Sequence, residues 1–244
     1  MIKDIINQIK KLAKETNQMK KSQFFKSYLT TMSKFWNYSY YNQLLIQQQC
    51  PKAKKVAGYQ TWKKLKRKVK KGEKAINILA PIIVDKDEKI VGFRKVNVFD
   101  ISQTKGKPLP KLDIDIEGNN KKLLKKLLIY CNKNNIKVYF RKLNENLYGY
   151  NKNNLIVINK NKSINTQINT LIHELSHEKL HKYSKLNKQE KEIQAEAVAY
   201  VICKYFNLNP KSFNYLELYD GNYEKIMKNL EVISNCVKDI IENL

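Results

Sequence analysis

The stretch "TLIHELSHEKLH", residues 170–181, holds all 3 histidines of the chain and sets His173 and His177 four residues apart, with Glu174 directly after the first. Residues at that spacing on a helix differ by only about 40° in direction and about 6 Å in height, so two imidazoles can meet one ion. An HExxH helix of this kind does zinc chemistry. The histidines bind Zn2+ and the glutamate acts on a water as general base. A third protein ligand is then needed, with one coordination position left for the water. His181 is too far along for that role, because eight helical residues rise about 12 Å while a zinc–nitrogen bond spans about 2 Å. The metzincin spacing, with a histidine six residues after the second, fails because that position is Tyr183. "KEIQAEAVAY" offers carboxylates instead, Glu192 and Glu196, four apart on a following helix. Glu192 is assigned as the ligand and Glu196 as the carboxylate that orients an imidazole N–H. The reverse assignment also satisfies the spacing.

These residues need a scaffold, and the apolar pattern supplies one. Ile168, Leu171, Ile172, Leu175 and Leu180 surround the motif and predict a partly buried helix over about 164–182, followed by a polar break and a second helix, "EKEIQAEAVAYVICKYF". Upstream, "KKLLKKLLIYCNKNN" reads as a helix, and "IKVYFRKL", "NLYGYN" and "NLIVIN" as short strands parted by Asn-rich turns. A last helix is expected over 222–243. Nearer the N-terminus the periodicity predicts helices over 2–20 and about 22–49, the second ending before Pro51. "AINILAPIIV" and "IVGFRKVNVFDI" flank the charged "DKDEK" and predict a β-hairpin. The Pro- and Gly-containing stretch "SQTKGKPLPKLDIDIEGNN" places a domain boundary near residue 112. The expectation is an α+β protein: a basic domain over 1–112 and a second domain over 113–244 with a small sheet and two metal helices.

Charge is the dominant compositional fact. The chain of 244 residues carries a formal net charge of +25. Residues 1–110 hold 25 Lys+Arg against 7 Asp+Glu, whereas the remainder holds 22 against 15. An excess of this size concentrated in one half favours a polyanionic partner over a small neutral one. Within it, "GYQTWKKLKRKVKKGEK" sets eight basic residues against one acidic. The candidate nucleic-acid contacts are Lys54, Lys55, Tyr59, Trp62, Lys63, Lys64, Lys66, Arg67, Lys68, Lys70, Lys71 and Lys74. The cations would take phosphates and the aromatics would stack on unpaired bases. Each tryptophan also suits a core anchor. No apolar run of eighteen residues occurs, so no membrane partner is expected and the chain reads as cytoplasmic. The 4 cysteines form no CxxC pair and read as reduced core residues.

The segment "FWNYSYYNQLLIQQQCPKAKKVAGYQTWKKLKRKVKKGEKAINILAPIIV", followed by "VFDISQTKGKPLP", resembles the N-terminal domain of the ArdC-type antirestriction proteins of plasmids and other mobile elements. "TLIHELSHEKLH" with "KEIQAEAVAYVICKYF" resembles the zincin-like metallopeptidase domain that follows it in that family, itself similar to SprT-like and ImmA/IrrE-like peptidases. The resemblance implies single-stranded DNA binding in the first domain, with double-stranded DNA as a second candidate. In the second it implies a Zn2+ peptidase held by His173, His177 and Glu192, with Glu174 as base and a DNA-associated protein as substrate. Two alternatives belong beside it: an antirestriction protein that shields DNA by occupancy around a structural zinc, and a peptidase that cleaves one repressor. The chain is shorter than the better-known members and joins its two metal helices by a brief connection.

Overall fold

The computed structural model describes residues 2–14, 18–84, 89–109, 120–210 and 223–244. Helix α1, Ile2–Ala13, buries Ile5 and Ile9 one turn apart. The single helix expected over about 22–49 is two: α2, Gln18–Lys34, and α3, Tyr40–Gln49. The break is built by Ser39, whose extended backbone ends the incoming chain and whose hydroxyl accepts the N–H of Asn42 at 3.4 Å. Gln43 then locks the corner. Its buried amide donates to the carbonyls of Phe35 and Tyr38 and to Ser234 Oγ, while its oxygen accepts from the Tyr28 hydroxyl. A polar side chain so enclosed is tolerable because every group has a partner.

Strands β1 (Val56–Gly58), β3 (Ile76–Val84) and β4 (Lys89–Asp100) form an antiparallel sheet in the order β1-β4-β3. The expected hairpin is thus present, and of its "DKDEK" turn residues 85–88 lie outside the described residues. Helix α4 (Tyr59–Lys64) and the two-stranded ribbon of β2 (Arg67–Val69) and β5 (Thr104–Gly106) were not anticipated, being too short for any periodicity to register. Gly106, at φ +140°, lies against the ribbon so closely that a Cβ would sit 2.4 Å from the Lys66 carbonyl oxygen. The boundary expected near residue 112 falls among residues 110–119, outside those described.

Asp100 ties this region together. It is 1% exposed; one carboxylate oxygen accepts the backbone N–H groups of Lys54 (2.7 Å) and Lys55 (2.9 Å), and the other accepts the N–H and hydroxyl of Ser102. Burial is the largest single influence on its pKa and raises it, but the bonds from Ser102, Lys54 and Lys55 together outweigh burial and hold the carboxyl below its usual range. A folded-state pKa depressed in this way contributes stability that is full above about pH 4, the unfolded value, and is lost as pH falls through the folded one. Asp100→Asn, which turns an N–H2 toward N–H donors, is expected to cost about 1–3 kcal/mol at pH 7. In urea titrations that penalty should shrink below pH 4; a penalty independent of pH would remove the charge from the account.

In the second half, α5 (Lys121–Lys133) buries Leu123, Leu127, Tyr130 and Cys131 on one face and stops at Asn135, in the left-handed region at φ 57°. Strands β6 (Lys137–Arg141), β7 (Gly149–Lys152) and β8 (Leu155–Asn159) follow as expected, in the order β6-β8-β7, with β6 parallel and β7 antiparallel to β8. The β7–β8 connection is the two-residue Asn153-Asn154 turn, both at positive φ, a geometry that asparagine tolerates. Helices α6 (Ile164–His181), α7 (Lys188–Tyr205) and α8 (Tyr223–Glu242) complete the fold. One continuous apolar core takes residues from α1, α2 and α3 as well as from α5 to α8, and a small separate core of Phe35, Ile46, Ala53, Ile76, Ile78 and Val98 lies under the hairpin. Helix α7 is buried on nearly every side because it packs against α2, α6 and α8. All four cysteines are free, three of them buried. No helix among the described residues is long and apolar enough to cross a membrane.

Candidate metal centre

Helix α6 is capped by Ser163, which accepts the N–H of Thr166, and its Ile168, Leu171, Ile172 and Leu175 are fully buried. That anchors one face and leaves the His173/His177 edge toward α7. Residues 182–187 join the helices, and a reciprocal Asn187–Glu190 capping box fixes where α7 begins. Glu192 therefore lies opposite both histidines. His173 Nε2 and His177 Nε2 lie 3.0 Å apart, Glu192 Oε2 lies 3.4 Å from the first and Glu192 Oε1 lies 3.5 Å from the second. Two ligands each about 2.0 Å from a tetrahedral ion lie about 3.3 Å apart, so each of these pairs has about the spacing of two corners of a zinc tetrahedron. Among the described residues, His173, His177 and Glu192 are the group that can hold a metal ion in this way.

Glu196 reaches the far side of His173, its Oε1 lying 3.6 Å from His173 Nδ1. That nitrogen is buried and makes no hydrogen bond, so the adjacent carboxylate is the group placed to receive its proton. His181 stands outside the cluster and touches the far nitrogen of His177, Nδ1 to Nδ1 at 2.9 Å. Burial, seconded by His173, pulls the His177 pKa down to about 4, which keeps the imidazole neutral and able to ligate. Glu192 is held at about 2, chiefly by its hydrogen bond to His173, and is ionised at neutral pH. For His173 burial acts downward, but Glu192, Glu196 and Glu174 together raise it.

Glu174 projects beside this set into a cavity of about 310 Å³ that is lined also by His173, Glu196, Tyr148, Gly149 and a ring of amides including Asn165 and Asn169. Burial, more than its acidic neighbours, raises the Glu174 pKa, although His173 and an Asn151 hydrogen bond oppose the rise. Asn151 of β7 also bonds the Glu174 carbonyl at 3.3 Å and the Glu178 carboxylate, linking the sheet to the motif. Nothing in the sequence singled this asparagine out.

The basic stretch divides. Lys54, Lys55, Lys63, Lys64, Lys66, Lys68, Lys70, Lys71 and Lys74 are exposed, as is Tyr59 at 54%. Two expected contacts are corrected. Trp62 is 1% exposed with its indole N–H given to the Phe99 carbonyl, so it offers no ring face for stacking. Arg67 spends its guanidinium on Thr104, Gly106 and Lys107, clamping β2 to β5 rather than presenting a fork to a phosphate. The same pairing adds a residue the sequence did not suggest. Lys105 stands directly opposite Lys68 across the ribbon, both exposed. Like charges so placed destabilise a ribbon by themselves, and among the described residues no carboxylate ion-pairs with either.

The fold and site define a two-domain α+β protein in which a basic N-terminal portion precedes a zincin-like domain bearing an HExxH helix. The model for the N-terminal domain of anti-restriction factor ArdC matches residues 1–109, and that for the IrrE N-terminal-like domain, Peptidase_M78, matches residues 131–238. The chain thus carries an ArdC-type N-terminal domain followed by an IrrE-like Peptidase_M78 domain. It is similar in fold to the crystal structure of the antirestriction ArdC protein from the R388 plasmid in Mn(II)-bound form, at 19% identity and TM-score 0.51 over 82% of this chain and 84% of that one. The metal-free structure of the same protein gives 17% identity and 0.52, covering 83% of each chain. No curated protein sequence matches the chain.

Proposed function

We propose that this protein is a zinc-dependent metallopeptidase that acts on proteins associated with single-stranded DNA, its basic face holding the strand. The observation that carries the reading is the convergence of His173, His177 and Glu192 beside a buried Glu174 that opens into a cavity. His173, His177 and Glu192 would hold the ion, and Glu196 would receive the His173 Nδ1–H. A divalent ion there supplies Lewis acidity and lowers the pKa of a water; the Mn(II) in the R388 protein is consistent with a divalent ion in this fold. Glu174 would accept a proton from a water attacking the peptide carbonyl and return it to the leaving amine nitrogen. Burial raises the basicity of its carboxylate, which suits it to both transfers. The 310 Å³ cavity receives the substrate chain next to this carboxylate. Incubation of the full chain with a DNA-bound protein, with and without single-stranded DNA and zinc, should give cleavage only when both are supplied.

The Lys68/Lys105 pair favours a second reading, occlusion of DNA around a structural zinc, since an anion seat of this kind needs no peptidase. Both readings require phosphate contacts. For single strands the slope of log affinity against log salt is about −0.7 for each phosphate neutralised, so Lys68→Ser with Lys105→Ser should make it shallower by about 1.4. An unchanged slope would remove this pair from the interface. Protection of DNA from a nuclease that survives loss of Glu174 but not loss of these lysines selects occlusion.

A further inference from the structure

His181 is the most enclosed of the three histidines, 7% exposed, yet it ligates nothing. Its Nε2 lies 3.0 Å from Gln194 Oε1, and Gln194, 4% exposed, donates through Nε2 to Asn229 Oδ1 at 2.8 Å. These contacts run in one direction only. A carbonyl oxygen accepts and cannot donate, so His181 Nε2 carries a hydrogen. In a neutral imidazole the other nitrogen is then a bare lone pair, and His181 Nδ1 faces His177 Nδ1 at 2.9 Å. His177 must therefore hold its hydrogen on Nδ1, which strips Nε2 and aims that lone pair at His173 and Glu192. Reversing the order requires Gln194 to turn its amide over, and Asn229 with it, because two amide oxygens or two N–H2 groups would otherwise face one another.

We infer that His181, Gln194 and Asn229 form a hydrogen-bonded wire that holds His177 in the tautomer offering Nε2 to the metal. The inference rests on the metal-centre reading above, and it makes His181 a positioning residue supported from α7 and α8. The opposite tautomer would point a hydrogen at the His173 nitrogen 3.0 Å away and would need a proton shift before any ion could enter. Partners of this kind, once removed, cost about 10–100-fold in metal affinity.

The test starts with the metal-free protein labelled with 15N-histidine. Long-range proton–nitrogen correlations should show His177 protonated on Nδ1 and His181 on Nε2. Gln194→Leu should leave His177 a mixture of tautomers and weaken zinc, measured by chelator competition, by about 10–100-fold with an unchanged circular dichroism spectrum. Gln194→Glu, which keeps an acceptor toward His181, should restore the single tautomer. Finding His177 protonated on Nε2 in the unsubstituted protein overturns the wire, even if Gln194→Leu does not fold. So does a Gln194→Leu protein that keeps both the tautomer and the zinc affinity. Absence of zinc binding by the unsubstituted protein would instead overturn the metal centre, while the tautomers still decide the wire.

Discussion

Glu174→Gln is expected to slow cleavage of a DNA-bound protein by about 10²–10⁴-fold, the range that a general base contributes, while zinc content stays unchanged. The substitution preserves size and leaves the carbonyl contact with Asn151 intact, but an amide cannot take a proton from water. Because Glu174 stands outside the three-atom ligand cluster, its loss separates chemistry from metal retention. Cleavage rates and zinc stoichiometry measured on the same preparation make the test complete. Full zinc occupancy with an undiminished rate would mean that another group takes the proton.

The second large effect separates the two carboxylates of α7. Glu192 faces both Nε2 atoms, at 3.4 and 3.5 Å, whereas Glu196 approaches only the Nδ1 of His173. Glu192→Ala should therefore weaken zinc binding by more than the roughly 10–100-fold that loss of an outer partner such as Glu196 costs. Among the described residues Glu192→Ala would leave two of the candidate ligands, His173 and His177, one short of the three typical of a catalytic zinc site. Zinc titration against a competing chelator compares the two variants directly. A larger loss for Glu196→Ala would exchange the roles and require α7 to turn relative to α6 when the ion binds.

What could be read from the residues alone followed from how local the determinant was. His173, Glu174 and His177 are legible because a helix turns their spacing into a direction. Glu192 was within reach for the same reason, one helix further on. Gln194 and Asn229 were not, because 35 residues separate them and only the packing of α7 against α8 brings them together. Lys105 sits in an unremarkable proline- and glycine-containing stretch and gains its meaning from the β2–β5 register. Trp62 shows the reverse failure. An aromatic among lysines suits either stacking or packing, and the Phe99 carbonyl that decides the matter lies 37 residues away. The Ser39 break had a local signal, a capping residue, masked by the aromatic run on both sides of it.

The shared core of α2 and α7 bears on how such a protein can change over generations. Helix α7 supplies Glu192 and at the same time rests on α2, where Tyr200 meets Thr30 at 3.4 Å. A chain that acquired a foreign N-terminal portion would also have to rebuild the wall behind Glu192. A change of side-chain volume in one part therefore constrains the volumes that the other can accept.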